Sequence, residues 1–403
     1  MRRSLRAIAA LSLLAAPGSA FAHGGHEHHT DRCAQPALPC ATAATPAFGP
    51  DGSLWLAWAA AGRVVVARST DLGQSFESAV VLGDAPARID TGPDARPKIA
   101  VDGEGRAFVA YAVFKDDRYN GEALFTRSLD GGKSFEAPRR ITDDDASQRF
   151  ETLTIDPAGR LFAAWIDKRD AVAAKKAGGA YPGAALAFAW SEDGGVNFAA
   201  SHVAKDNSCE CCRLGVAFAG PGRPVVAFRN IFDGKVRDHA VATFADPSTI
   251  ASITRVAVDD WAVDGCPHHG PSLSVAPDGA YHVTWFTEGK ARQGSFYARS
   301  TDGGASFSAP MRIGDPDRQA GRAQVLASGG AVWLAWQEFD GERTTVFARR
   351  SRDGGANWSE PREIASTGDE ADHPLLVAGR GHVFLSWLTR AESYRLIPVE
   401  DAE

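Results

Sequence analysis

Short runs of alternating large and small apolar residues recur along most of the chain. They read LWLAWAA from Leu54, AFVAYAV from Ala107, LFAAWID from Leu161, PVVAFRN from Pro224, YHVTWFT from Tyr281, VWLAWQE from Val332 and VFLSWLT from Val383. Successive starts lie 51–63 residues apart. Period-two alternation bounded by turn residues predicts half-buried β-strands. A third strand follows each run, as in VVVARS, ALFTRS, LAFAWS, HAVATF, SFYARS, TVFARR and YRLIPV. An apolar strand ahead of each run and a fourth strand behind most complete the repeat.

Five third strands run into one turn pattern, Ser-x-Asp-x-Gly-x-x-aromatic, beginning at Ser69, Ser128, Ser191, Ser300 and Ser351. Asp71, Asp130, Asp193, Asp302 and Asp353 can accept hydrogen bonds from the N–H groups of their own turn. Gly73, Gly132, Gly195, Gly304 and Gly355 permit a positive φ. Phe76, Phe135, Phe198, Phe307 and Trp358 are expected to place a ring in the core of the unit. The fourth unit keeps only Asp246 in a similar place, and the seventh ends without a fourth strand. Residues 37–44 are expected to supply that strand, with Cys33 and Cys40 paired to pin it. Four strands per unit at this period predict an all-β fold, a seven-bladed (alternatively six-bladed) β-propeller over 37–403.

On these turns the chain resembles the sialidase superfamily of Asp-box (bacterial neuraminidase repeat) proteins. The resemblance implies structural turns away from a working face. It also implies a possible exo-α-sialidase type of glycoside hydrolysis: three arginines on a carboxylate, a Tyr–Glu nucleophile pair and an Asp acid/base. Arg96, Arg213 and Arg322 match the arginines, although Arg96-Pro97 lacks the family's intervening Ile. Asp116 or Asp117 falls near the acid, and Tyr394 is the late tyrosine. Glu151 and Glu210 are the candidates for its partner. True sialidases have six blades, and seven strand pairs are counted here.

In a propeller the segments leading into the innermost strands share the axis, and such loops build binding sites. Aligning the units places Arg96, Arg149, Arg213, His269, Arg322 and His373 at or beside one equivalent position. That ring suits a small anionic ligand or glycan carboxylate, or else ordinary ion pairing between units. Arg229 and Arg237, on the fourth unit, are secondary ligand-binding candidates.

Cysteine usage adds a second chemistry. Cys209-Glu210-Cys211-Cys212 leads into the fourth unit and Cys266-Pro267-His268-His269 into the fifth, so the topology brings thiols and imidazoles together. Thiolate with imidazole suits copper or zinc. Disulfides are the other reading in an oxidising compartment.

The N-terminus sets that compartment. Arg2, Arg3 and Arg6, an apolar run too short to span a bilayer, and Ala20-Phe21-Ala22 read as a signal peptide over 1–22. Residues 23–36 form a His-rich tail, in which His23, with a free amine after cleavage, and His26, His28 and His29 suit copper. The expected location is periplasmic or secreted. Loss of three arginines takes the formal charge from −7 to about −10. That balance argues against nucleic acid and anionic membrane surfaces as partners. An envelope protein docked on the scaffold is the remaining partner class.

Overall fold

The computed structural model describes residues 33–92, 94–181 and 183–399. The signal peptide expected over 1–22 and the tail histidines His23, His26, His28 and His29 lie outside them. The described chain is all-β, built from consecutive antiparallel four-strand units and a final three-strand unit. The first unit runs Ala43–Phe48, Leu54–Ala60, Arg63–Ser69 and Val80–Leu82 in sheet order. Two units share an eight-stranded sheet because Ser208 at the end of the third pairs with Asn230 in the fourth. Among the described residues the one α-helix is Arg169–Lys176, which joins two strands of the third unit. No described helix is long and apolar enough to cross a membrane.

The second strands are buried on both faces, not one. All seven residues of Leu54–Ala60 and of Leu161–Asp167 are buried. Successive side chains point to opposite faces, so the two faces meet different neighbours. Leu54, Leu56 and Trp58 join a core with Leu388 and Tyr394 of the last unit. Trp55 and Ala57 join a core with Val109 and Tyr111 of the second unit. The same division repeats, so each of seven cores lies between two units, one of them between the first and the last. Units stacked face to face leave no solvated strand face, which is why half-burial was the wrong expectation.

The bulky residue closing each second strand fills these cores: Trp165, Trp285, Trp336 and Trp387 are among the largest fully buried side chains. Burying such a side chain contributes about 1.5–3 kcal/mol or more. Each indole N–H must then find an acceptor. Trp165 donates to Asp167 Oδ2 and Trp285 to Asp259 Oδ2, both at 2.8 Å. Trp336 donates to Glu338 Oε1 and Trp387 to the Asp372 carbonyl, also at 2.8 Å.

The Ser-x-Asp-x-Gly turns form one bond pattern. Ser69 Oγ donates to Asp71 Oδ1 and accepts from Gly73 N, both at 2.8 Å, and Ser75 N donates to Asp71 Oδ1 at 2.9 Å. The turn at Ser351 repeats it. The aromatic of each turn lies in the core that its own unit shares with the preceding one. Phe198 meets Phe125 edge-on, Trp358 meets Tyr297, and Phe76 meets Tyr394 of the last unit. Gly132 shows why the glycine is needed: its φ is 87°, and a Cβ would lie 2.5 Å from the Trp55 ring.

Residues 37–44 do not supply a missing strand. Leu38–Cys40 is a single 3-10 turn, and Ala43–Phe48 pairs with Leu54–Ala60 as the first strand of its own unit. The Cys33–Cys40 disulfide is formed as expected. It pins a segment packed on the core between the first and last units, where Leu38 and Cys40 lie.

Candidate functional site

By topology the segments leading into the first strands lie at the opposite end of the sheets from the Ser-x-Asp-x-Gly turns. Asp94, only 1% exposed, ties four of them together. It accepts from Arg213 at 2.9 Å, from Gly270 N at 2.7 Å and from Arg322 at 3.5 Å. Burial disfavours its charge, yet the two guanidiniums and the Gly270 N–H outweigh that and hold its carboxyl below the usual range. A second knot lies beside it. Arg96 donates to Asp372 Oδ1 at 2.5 Å and to the Ala44 carbonyl at 3.1 Å, joining the second, seventh and first units. Arg149 spends its fork on Asp90, at 2.6 and 2.8 Å, and lies over the rings of Phe114 and Phe150.

The arginines expected to face a ligand carboxylate are therefore brought together, but each already holds a carboxylate of the chain. Asp94 and Asp372 were missed because an isolated Asp in TGPDARP or ADHP carries no pattern of its own. Arg213, His269, Gly270, Trp285, Phe286 and Arg322 line a small cleft of about 10 Å³, room for about one water. His269 stacks on Phe286 at 4.2 Å, and burial, aided by Arg322, pushes its pKa down to about 3. His373 is buried, and neither ring nitrogen has a hydrogen-bond partner. Burial, then Arg96, Arg213 and Arg322, keep it neutral, well below its ordinary value. Buried Glu151 and half-buried Lys98 form an electrostatic pair, in which loss of solvent raises the carboxyl and lowers the ammonium. Lys98 carried no signal in the sequence.

Arg229 serves as a pillar between segments. It is fully buried, lies 4.4 Å from the Trp261 ring centroid, and donates to the carbonyls of Arg237, His269 and Phe286. Arg237 donates to the Val263 carbonyl and, at 3.2 Å, to Cys209 Sγ.

The thiols do converge, and none of the four forms a disulfide. Cys209 is fixed at the backbone, where its N–H donates to the Arg229 carbonyl at 2.9 Å. Its Sγ lies 3.6 Å from Cys211 Sγ and 4.0 Å from Cys212 Sγ. Hydrogen bonds from those two thiols, then the charges of Arg229 and Arg237, push the Cys209 thiol down. Cys211 also belongs to a second group with Cys266 and His268, whose ligand atoms all lie within 4.8 Å of one another. His269 belongs to neither group. His268 adopts a left-handed φ of 49°, as do Phe150 at 55° and Arg322 at 55°, both on other lead-in segments. Such backbone costs about 1 kcal/mol or more per residue and concentrates at working faces.

The proposed catalytic residues fare differently. Asp116 accepts from the Asn120 side chain at 2.7 Å and from Arg118 N at 2.9 Å, which holds it below the usual range. A general acid needs the opposite shift. Asp117 is exposed and pairs with Arg88 at 2.7 Å. Tyr394 is enclosed in the core between the first and last units, its hydroxyl accepting from Ser386 at 3.1 Å. Glu210 is paired to Lys168 at 2.6 Å.

No protein-family model matches the sequence, and no curated protein matches it. Solved structures do match in shape. A Dyadobacter fermentans protein of unknown function aligns at a TM-score of 0.53 with 18% identity, over 79% of this chain and 96% of that one. An ulvan lyase of a new polysaccharide lyase family, bound to the saccharide GlcA(1-4)Rha3S, aligns at 0.54 with 11% identity, over 90% and 92%. An intramolecular trans-sialidase from Ruminococcus gnavus aligns at 0.49 with 11% identity, over 91% and 95%. The first two alignments show that the chain shares their overall fold, which its own stacked antiparallel units make propeller-type. At these identities the likeness speaks for the fold alone.

Proposed function

We propose that this chain is an exported seven-bladed propeller that binds a soft metal ion, copper or zinc, at its axial mouth. The observation that carries the reading is the convergence of Cys211, Cys266 and His268, from two lead-in segments, to within 4.8 Å. Three further features support it. The buried thiols of Cys209, Cys211 and Cys212 are not cross-linked. Thiolate and imidazole are the donors soft metals select. The His-rich stretch behind the expected cleavage point adds a second set of metal-binding side chains on the same chain. Seven consecutive cores, the last joining the two ends of the chain, support the blade number.

The test is metal analysis of the mature protein purified without an affinity tag. At least one equivalent of copper or zinc beyond any held by the His-rich tail is expected, and that equivalent should be lost in Cys211→Ser. A metal-free protein that takes up neither ion, with Cys209, Cys211, Cys212 and Cys266 all in disulfides, would sink the reading.

A second reading rests on the cleft between Arg213 and Arg322. A small anion there, or the sialic acid carboxylate of an exo-acting glycosidase, would have to compete with Asp94 for both guanidiniums. On this ground we rank glycoside hydrolysis lower, and expect no turnover of a fluorogenic sialoside.

A further inference from the structure

The four thiols and His268 do not surround one point. They form two three-donor groups that share a single atom, Cys211 Sγ. The first is Cys209, Cys211 and Cys212, all buried; the second is Cys211, half-buried His268 and exposed Cys266. A four-thiolate zinc centre with Zn–S bonds of about 2.3 Å needs every sulfur about 3.8 Å from the others. Cys209 and Cys211 meet that spacing, at 3.6 Å, but Cys266 does not join the first group. Two three-coordinate centres would use every donor, one with three sulfurs and one with two sulfurs and a nitrogen.

Charge then selects the metal. Four thiolates around two Cu(I) ions carry −2. Arg237, which donates to Cys209 Sγ, and buried Arg229 beside it supply +2. Two Zn(II) ions in the same place would leave +2 uncompensated in a water-poor site, which is costly. Soft thiolate donors also favour Cu(I).

We propose, resting on the metal-binding reading above, that the mouth holds two Cu(I) ions bridged by the Cys211 thiolate, an inner ion on Cys209, Cys211 and Cys212 and an outer ion on Cys211, Cys266 and His268. Each thiol gives its proton to solvent as its sulfur–copper bond forms, so four protons leave and no electron is transferred. The exposed outer centre is where copper enters and exchanges.

The experiment is an anaerobic titration of the reduced mature chain with Cu(I) against a chromophoric chelator, following the sulfur-to-copper charge-transfer absorption. Two thiolate-dependent equivalents are expected, with a copper–copper vector in X-ray absorption. Cys266→Ser and His268→Ala, on the solvent side, should each retain one equivalent. Cys211→Ser should lose the copper–copper vector. Copper on the His-rich tail is common to all variants and cancels in their differences. A single thiolate-dependent equivalent in the unaltered chain overturns the paired site and leaves the metal-binding reading standing. Two zinc ions displacing the copper overturn the choice of metal. No thiolate-dependent uptake of either ion overturns both readings.

Discussion

Asp94 accepts from Arg213, Arg322 and the Gly270 N–H, three groups on three different lead-in segments. Removing one partner of a buried ion pair leaves the other charges uncompensated, at about 3–5 kcal/mol. Asp94→Asn should therefore destabilise the chain by roughly that amount in urea unfolding. A change under about 1 kcal/mol would show that water satisfies the arginines instead. The buried histidines set a second residue-scale behaviour. His239, His269, His282 and His373 all have folded pKa values pushed below 6.5, with burial the largest cause. Below that value the unfolded chain binds protons that the folded chain refuses. The stability they contribute is present above pH 6.5 and is lost as pH falls toward the folded values, by up to about 1.4 kcal/mol per histidine per pH unit. Denaturant midpoints should fall between pH 7 and pH 5, a range in which ordinary carboxylates scarcely titrate. An unchanged midpoint across that range would mean the imidazoles reach water.

At the scale of the element, the turn pattern carries most of what could be read without a structure. Ser-x-Asp-x-Gly-x-x-aromatic is legible because hydrogen bonding and left-handed backbone constrain residue type at fixed offsets within eight positions. The direction in which its aromatic points was not legible, because that depends on the neighbouring unit. Gly131 and Gly132 separate the two causes. Both have positive φ, 74° and 87°, but nothing lies within 4 Å of a Cβ at Gly131, whereas one at Gly132 would meet Trp55. Gly131→Ala should cost about 1 kcal/mol from conformation alone, and Gly132→Ala clearly more, because the interface with the first unit must open. Equal losses in thermal unfolding would mean that Trp55 moves aside freely. The turn aspartates add an acid limit. Asp71, Asp130, Asp193 and Asp302 are all held near about 2 by serine hydroxyl, asparagine and backbone N–H donors. A depressed folded value gives stability that is complete above 3.8 and lost as pH falls toward 2. This loss adds to that of the histidines, so the fall of the denaturant midpoint with pH should steepen between pH 4 and pH 2.

At the scale of the molecule, convergence of the lead-in segments follows from tandem units folding back on themselves, so Cys211 and His268 could be placed together from spacing alone. The ion pairs of the mouth could not, since Asp94 and Arg322 are 228 positions apart and no local rule links them. Nor could the means of closure. The last unit has three strands, and the two ends of the chain meet through side-chain packing of Leu388 and Tyr394 on Leu54, Leu56 and Trp58. In an open array each repeat depends only on its neighbours, so terminal repeats fray. Here the first and last units are themselves neighbours, and the Ala44 N–H, which donates to Asp372 Oδ2 at 3.2 Å, binds them again at the mouth. Loss at this seam should therefore be felt everywhere. Leu388→Ala removes a buried side chain at a cost of about 2–5 kcal/mol. If the seam closes a ring, the variant should still unfold in one calorimetric transition, shifted down as a whole. If it is a loose contact, the first and last units should melt in a separate, earlier step, and limited proteolysis should release them before the rest of the chain is cut.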